Sequence, residues 1–143
     1  MAAASEQGGC TEAEAQQRAA LLAVESYAVF LDLAAGPDRI RSRAEIRFRC
    51  REPGASTFAD LRARSVTRVT CNGQSLDPGR VLSGGRLHLR GLAASNVLTV
   101  DAEVGYSPGG RGLSRFADPA GGGQYAFGYC FPDSAPSVFC CFD

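Results

Sequence analysis

The chain has 143 residues, with 15 basic and 15 acidic side chains and a formal net charge of +0. This length fits one domain, and the balanced charge argues against nucleic acid or an anionic membrane as the main partner. Every basic residue is an arginine, so Schiff-base chemistry and phosphate binding through a P-loop lysine are excluded.

The N-terminal segment carries a helix signal and no targeting signal. Residues 1–10 lack a positive region followed by an apolar stretch, so we predict no secretory signal peptide and expect a cytoplasmic protein. We expect residues 1–10 to be flexible. Thr11 begins the stretch TEAEAQQRAALL, and Glu14 follows three residues later, which is the spacing of a capping box. The spacing predicts a short helix over 11–22.

After this helix, the hydrophobic pattern alternates with a period of two, which is typical of half-buried strands. In RSRAEIRFRC, for example, apolar residues alternate with arginines and one glutamate. Turn signals follow at short intervals, among them GPD at 36–38 and the pair Asn72-Gly73. Seven or eight short strands with little helix predict an all-β fold, an antiparallel sandwich or saddle, in one domain over 1–143.

The C-terminal part combines a glycine-rich segment with an aromatic one. Residues 107–123, SPGGRGLSRFADPAGGG, are interpreted as a loop because glycine and polar residues dominate them. A strand over 125–131 in the following YAFGYCFP places four rings on one face: Tyr125, Phe127, Tyr129 and Phe131. This row belongs to the core, to a dimer interface or to a ligand pocket, and the pattern leaves all three open. A short C-terminal helix capped by Ser134 is also predicted.

Other candidates for chemistry are weak. His88 is the only histidine and alternates with leucines in RLHLR, so we expect it on the surface and outside any catalytic or metal site. The six cysteines form no C-x-x-C pair and are expected to be free thiols, so neither a metal site nor a cofactor is predicted. Acidic residues on the predicted strands are interpreted as solvated partners of arginines: Asp32, Glu45, Asp60, Asp101 and Glu103.

Ordered blocks of the sequence resemble one known family. RSRAEIRFRC, GASTFADLRA, VTCNGQSLDP, GLSRFADP and VFCCFD are similar to the N-terminal domain of M1 zinc aminopeptidases of the aminopeptidase N type, of the actinobacterial kind, over about residues 12–143. The resemblance implies a saddle-shaped β-sandwich that lies against a thermolysin-like catalytic domain. These 143 residues contain no H-E-x-x-H motif, so this polypeptide alone is not expected to be a peptidase.

One departure from the family motivates a hypothesis about function. The family has a glutamine, which helps hold the α-amine of the substrate, followed by Phe-Glu-Pro; the aligned residues here are Tyr129, Cys130, Phe131 and Pro132. The leading hypothesis is a stand-alone, cofactor-free cyclase of pericyclic type that folds an apolar polyene or polyketide substrate in natural-product biosynthesis. Tyr129 is the predicted catalytic residue, as a hydrogen-bond donor to a carbonyl. The predicted substrate-binding residues are Tyr125, Phe127, Phe131, Cys130, Phe139, Phe30 and Phe48, of which Phe30 and Phe48 are equally candidates for the core.

A second hypothesis makes the chain a non-catalytic domain. It is then an accessory or interaction domain, or a truncated fragment of an M1 aminopeptidase, which docks on a separate catalytic subunit or on itself. Because large apolar patches are unusual on soluble monomers, the aromatic row also predicts a homodimer or an apolar small-molecule ligand. The balanced charge predicts no nucleic acid or membrane as partner. At this stage it stays open whether the chain is an enzyme.

Overall fold

The protein is described here by a computed structural model that covers residues 9–130 and 133–142. Phe131, Pro132 and most of the N-terminal segment expected to be flexible lie outside the described residues. The elements in chain order are α1 (Glu12–Leu21), β1 (Leu22–Asp32), β2 (Arg39–Cys50), β3 (Thr57–Asp60), β4 (Ser65–Cys71), β5 (Gln74–Leu76), α2 (Pro78–Val81), β6 (Leu82–Ser83), β7 (Arg86–Leu89), β8 (Ser95–Gly105), β9 (Gly112–Ala117), β10 (Gln124–Tyr129) and a 3-10 helix (Ala135–Ser137). The predicted all-β class is confirmed.

The strands form a sandwich of two antiparallel sheets and a separate two-stranded ribbon. The larger sheet has the order β1-β2-β8-β4-β5, the smaller one β3-β7-β6, and β9 pairs with β10. In β2, buried and exposed residues alternate, with Phe48 and Ile46 inside and the arginines outside, as the sequence pattern predicts. Phe48 from the larger sheet and Leu87 from the smaller one belong to one buried cluster, so the two sheets share a core.

Helix α1 begins at the predicted capping box and is held by a buried ion pair. The Thr11 hydroxyl accepts from the Glu14 amide at 3.2 Å, and the Glu14 carboxylate accepts from the Thr11 amide at 2.9 Å. Arg18, four residues after Glu14 and therefore on the same face of α1, lies 2.8 Å from Asp60 of β3, and both side chains are buried. Among the described helices, none is long and apolar enough to span a bilayer.

The acidic residues on the strands divide into a buried and an exposed group. The prediction of a solvated Asp60 is wrong, because the guanidinium of Arg18 neutralises its carboxylate inside the protein. Glu45, Asp101 and Glu103 form ion pairs with arginines on the outer side of the larger sheet, as predicted. Asp32 instead accepts a hydrogen bond from the Ala34 amide at 3.0 Å.

The C-terminal segment closes part of the sandwich. The 3-10 helix follows Ser134, whose side chain makes no capping hydrogen bond, in contrast to the prediction. The Phe142 amide donates to the Tyr27 hydroxyl at 3.0 Å, and the Phe142 ring packs edge-on against Phe48, with centroids 4.9 Å apart. Phe48 is 1% exposed, so it is a core residue and does not line a pocket.

Strand β1 is an edge strand with uncovered apolar side chains. Val24, Tyr27 and Val29 pair with buried residues of β2 and therefore point to the inner side of the sheet, yet each keeps about 40% of its surface exposed. Phe30 pairs with Arg43, points to the outer side and is 65% exposed. The core side of the larger sheet thus extends beyond the cover that the smaller sheet and the C-terminal segment provide.

Candidate functional site

The aromatic strand predicted from YAFGYCFP exists as β10, and its partner is a strand that the sequence analysis assigned to a loop. β9 lies inside the glycine-rich segment 107–123, and it pairs with β10 in a register that places Phe116 opposite Tyr125. A tight turn joins the strands: the Asp118 amide donates to the Gly123 carbonyl at 2.7 Å, and Gly122 has φ of +66°. The loop prediction for 107–123 is therefore wrong over Gly112–Ala117, where pairing with β10 outweighs weak local propensity.

One side of this ribbon is covered by aromatic rings, which we call the aromatic face: Phe116, Tyr125, Phe127 and Tyr129. The ring of Phe116 stacks on Tyr125 with centroids 5.6 Å apart and meets Phe127 edge-on at 6.0 Å. The four side chains are between 46% and 54% exposed. These four rings are therefore not part of the core, and about half of the surface of each residue faces solvent.

The base of the ribbon is fixed to the sandwich. The buried Ser114 hydroxyl donates to the Ser107 carbonyl at 3.0 Å, and the Ser107 amide donates to the Leu113 carbonyl at 2.7 Å. Gly112, at φ of +75°, lies against Val138, where an added Cβ would come within 3.5 Å of its side chain. Arg115 points away from the aromatic face, donates to the Pro37 carbonyl and lies over the Tyr106 ring. These contacts hold the aromatic face outward.

The residues predicted to bind substrate do not all lie together. Tyr125, Phe127 and Tyr129 share the aromatic face, whereas Phe30 and Phe48 lie on opposite sides of the larger sheet and cannot line one pocket. Phe139 packs on the core beside Tyr27, with ring centroids 6.2 Å apart. Cys130 is exposed just after β10, and Phe131 lies outside the described residues.

Phe116 belongs to the site and was missed by sequence reasoning. The residues GLSRFA alternate in character, and the turn-forming DPAGGG separates them from QYAFGY. A short alternating run, a glycine-containing turn and a second alternating run are the signature of a β-hairpin. The sequence therefore contains a hairpin pattern, but the many glycines on both sides of GLSRFA favour a loop in this segment.

The aromatic face can provide apolar contact but carries little acid–base chemistry. The side chains of β9 and β10 on this side are rings, a buried serine and no carboxylate, imidazole or guanidinium. Elsewhere in residues 9–130 and 133–142, no three histidine, cysteine, aspartate or glutamate side chains come together as metal ligands. Burial raises the pKa of the Cys140 and Cys71 thiols, which keeps them protonated and unreactive near neutral pH.

Comparison with known proteins points to one family. No protein-family model matches the chain. The sequence is 39% identical over 136 residues to aminopeptidase N of Streptomyces lividans, a match that covers 93% of this chain and 16% of that protein. The fold matches leukotriene A4 hydrolase from Saccharomyces cerevisiae with a TM-score of 0.69 at 16% identity, over 93% of this chain and 25% of that one. The chain thus spans about a sixth of the length of its curated relative. In sequence and in fold, this chain corresponds to the N-terminal domain of the M1 aminopeptidases of the aminopeptidase N type.

Proposed function

We propose that the chain functions as a non-catalytic domain of an M1 aminopeptidase and packs, through its aromatic face, against the zinc-containing catalytic domain. The proposal rests on the match to aminopeptidase N over nearly the whole chain. It is supported by the aromatic face, whose four side chains are about half exposed to solvent. Contiguous exposed rings on a protein of this size are a typical feature of a protein–protein interface.

The size of the uncovered surface supports docking. Four neighbouring rings on the ribbon are about half exposed. Burial of the open half of one ring removes about 100 Å² from water, which contributes about 2.5 kcal/mol at roughly 25 cal/mol per Å². Because the base of the ribbon is fixed to the sandwich, little conformational entropy is lost when the face is covered.

The cyclase hypothesis receives no support. A pericyclic reaction accelerated by confinement needs an enclosed cavity, whereas the rings of Tyr125, Phe127 and Tyr129 keep about half of their surface open to solvent. The catalytic role assigned to Tyr129 stays a prediction from the sequence alone. The relationship to aminopeptidase N favours the alternative of an accessory domain or fragment.

Complementation tests the proposal. The Streptomyces lividans aminopeptidase N is prepared without the segment that matches this chain, and the purified chain is titrated against it by calorimetry and light scattering. We expect a one-to-one complex. The triple variant F116S/Y125S/F127S, whose side chains are all exposed in the wild type, is expected to bind at least about 100-fold more weakly. It lacks three apolar contacts of about 2.5 kcal/mol each, of which only a part appears as binding affinity.

The matched control is Phe30→Ser, which removes an exposed ring from the outer side of the larger sheet. We expect Phe30→Ser to bind like the wild type. Both variants are expected to retain a cooperative melting transition, with a lower Tm for the triple variant because it also loses the ring contacts of Phe116. Absence of a complex with the wild-type chain, or equal weakening by the control and the triple variant, would contradict docking through the aromatic face.

A further inference from the structure

A concavity at the open end of the sandwich lies away from the aromatic face. It has a volume of about 650 Å³ and lies between the β4–β5 hairpin of the larger sheet and strands β6 and β7 of the smaller one, with α2 at its side. This volume falls within the usual range of small-molecule sites, about 300–1,000 Å³. None of the four residues of the aromatic face lines it.

The lining of this concavity combines basic groups with an apolar wall. Arg80, His88 and Arg90 supply the nitrogen-bearing side chains, Gln74 supplies an amide, and Leu76 and Val81 supply apolar surface. No aspartate or glutamate is among its lining residues within the described chain. Because the whole chain has a net charge of +0, two lining arginines with only the exposed Asp77 beside one of them are a local excess of positive charge.

The two arginines are available to a ligand. Arg90 is exposed and forms no ion pair with any residue in the described ranges 9–130 and 133–142. Arg80 Nε lies 3.6 Å from a carboxylate oxygen of Asp77, which is a long distance for an ion pair, and the Arg80 side chain is 87% exposed. Asp77 is itself engaged, since its carboxylate accepts from the Gly79 amide at 2.9 Å. Exposed pairs of this kind are weak, so an anionic ligand can replace Asp77 as the partner of Arg80 at little cost.

We propose that this concavity is a binding site for a small amphipathic anion, which places a carboxylate or phosphate head between Arg80 and Arg90 and a short alkyl stem on Leu76 and Val81. Planar guanidinium groups bind both head groups with paired hydrogen bonds. The apolar wall explains why the site accepts an organic anion rather than an inorganic ion alone. This proposal does not depend on docking to a catalytic domain.

NMR titration of the isolated chain tests the site with four probes: hexanoate, hexyl phosphate, inorganic phosphate and hexan-1-ol. At low ionic strength, we expect hexanoate and hexyl phosphate to shift the signals of His88 and Val81, with weaker effects from inorganic phosphate and hexan-1-ol. Added salt is expected to weaken binding, because the charges are solvent-exposed. If only one of the two organic anions binds, that result identifies the head group.

The variant R80A/R90A is expected to bind the organic anions about tenfold more weakly, because two exposed charged contacts are lost. Arg68→Ala is the matched control, since Arg68 lies on β4 outside the concavity and makes no ion pair in the described part of the chain. Equal binding of hexan-1-ol and hexanoate, equal affinity of R80A/R90A and wild type, or no shifts at His88 and Val81 would each overturn the proposal.

Discussion

Arg18 and Asp60 form a buried ion pair, and we expect the loss of Arg18 to lower the free energy of unfolding more than the loss of Asp60 does. Arg18 donates to Asp60 at 2.8 Å and to the Phe58 carbonyl at 3.1 Å, and its guanidinium lies 4.8 Å from the Phe58 ring centroid. Asp60 has fewer hydrogen bonds, since its second carboxylate oxygen is buried without a partner among the described residues. Removal of either partner leaves the other charge buried.

The expected magnitudes follow from what each partner retains. In Asp60→Ala, Arg18 keeps the Phe58 carbonyl and ring, so we expect a loss at the low end of the usual range, about 3 kcal/mol. In Arg18→Met, neither oxygen of Asp60 has a hydrogen-bond partner, and we expect a loss of about 4–5 kcal/mol. For a chain of this size, 3 kcal/mol lowers the Tm by about 10 °C.

Urea denaturation followed by circular dichroism measures these changes, with the double variant R18M/D60L as the decisive member of the cycle. An apolar pair of similar volume is nearly neutral at such sites, so the double variant is expected within about 1 kcal/mol of the wild type, far from the sum of the two single losses. Single losses below about 1 kcal/mol that add up in the double variant would refute the reasoning, because they describe a solvated pair.

Three further predictions concern the helix start, the C-terminal segment and the core. Hydrogen bonds from Arg86 hold the pKa of Glu14 at about 2, below its ordinary value of 4.5. The stability that the ionised Glu14 contributes is therefore complete above pH 4.5 and is lost as the pH falls from 4.5 to about 2. We expect thermal melts of the wild type to show this loss and those of Glu14→Gln to lack it. Tyr27→Phe removes the acceptor of the Phe142 amide, and we expect a loss of about 1 kcal/mol with faster hydrogen exchange at that amide. Phe48→Ala is expected to cost about 3–5 kcal/mol in urea unfolding, with an unchanged m-value; a loss below about 1 kcal/mol would contradict its place in the core.

Much of the fold could be predicted because local signals agree with the tertiary structure. The capping box at Thr11 and Glu14 depends on neighbouring residues only, and the structure contains it. The alternation in β2 reports directly which side chains the core buries, as Phe48 illustrates. Short strands such as β6 have no such pattern, since two residues carry no periodicity, and only pairing with β7 identifies them.

The candidate site was harder to predict because its defining features arise from distant residues. The alternating pattern predicts Tyr125 and Phe127 in one row, but it does not distinguish a buried face from an exposed one. Phe116 joins them only through the register of β9, which glycines obscure. Asp60 resembles any strand carboxylate in the sequence, and its burial depends on Arg18, 42 residues away.

Hydroxyl-radical footprinting of the aromatic face tests the central claim most directly. The chain is labelled alone and in the presence of the Streptomyces lividans enzyme that lacks the matching segment, and oxidation is quantified by mass spectrometry. We expect oxidation of Phe116, Tyr125 and Phe127 to fall sharply in the mixture, while oxidation of the exposed Phe30 stays unchanged. Equal oxidation of these three rings with and without the partner would contradict the assignment of the aromatic face as a docking surface.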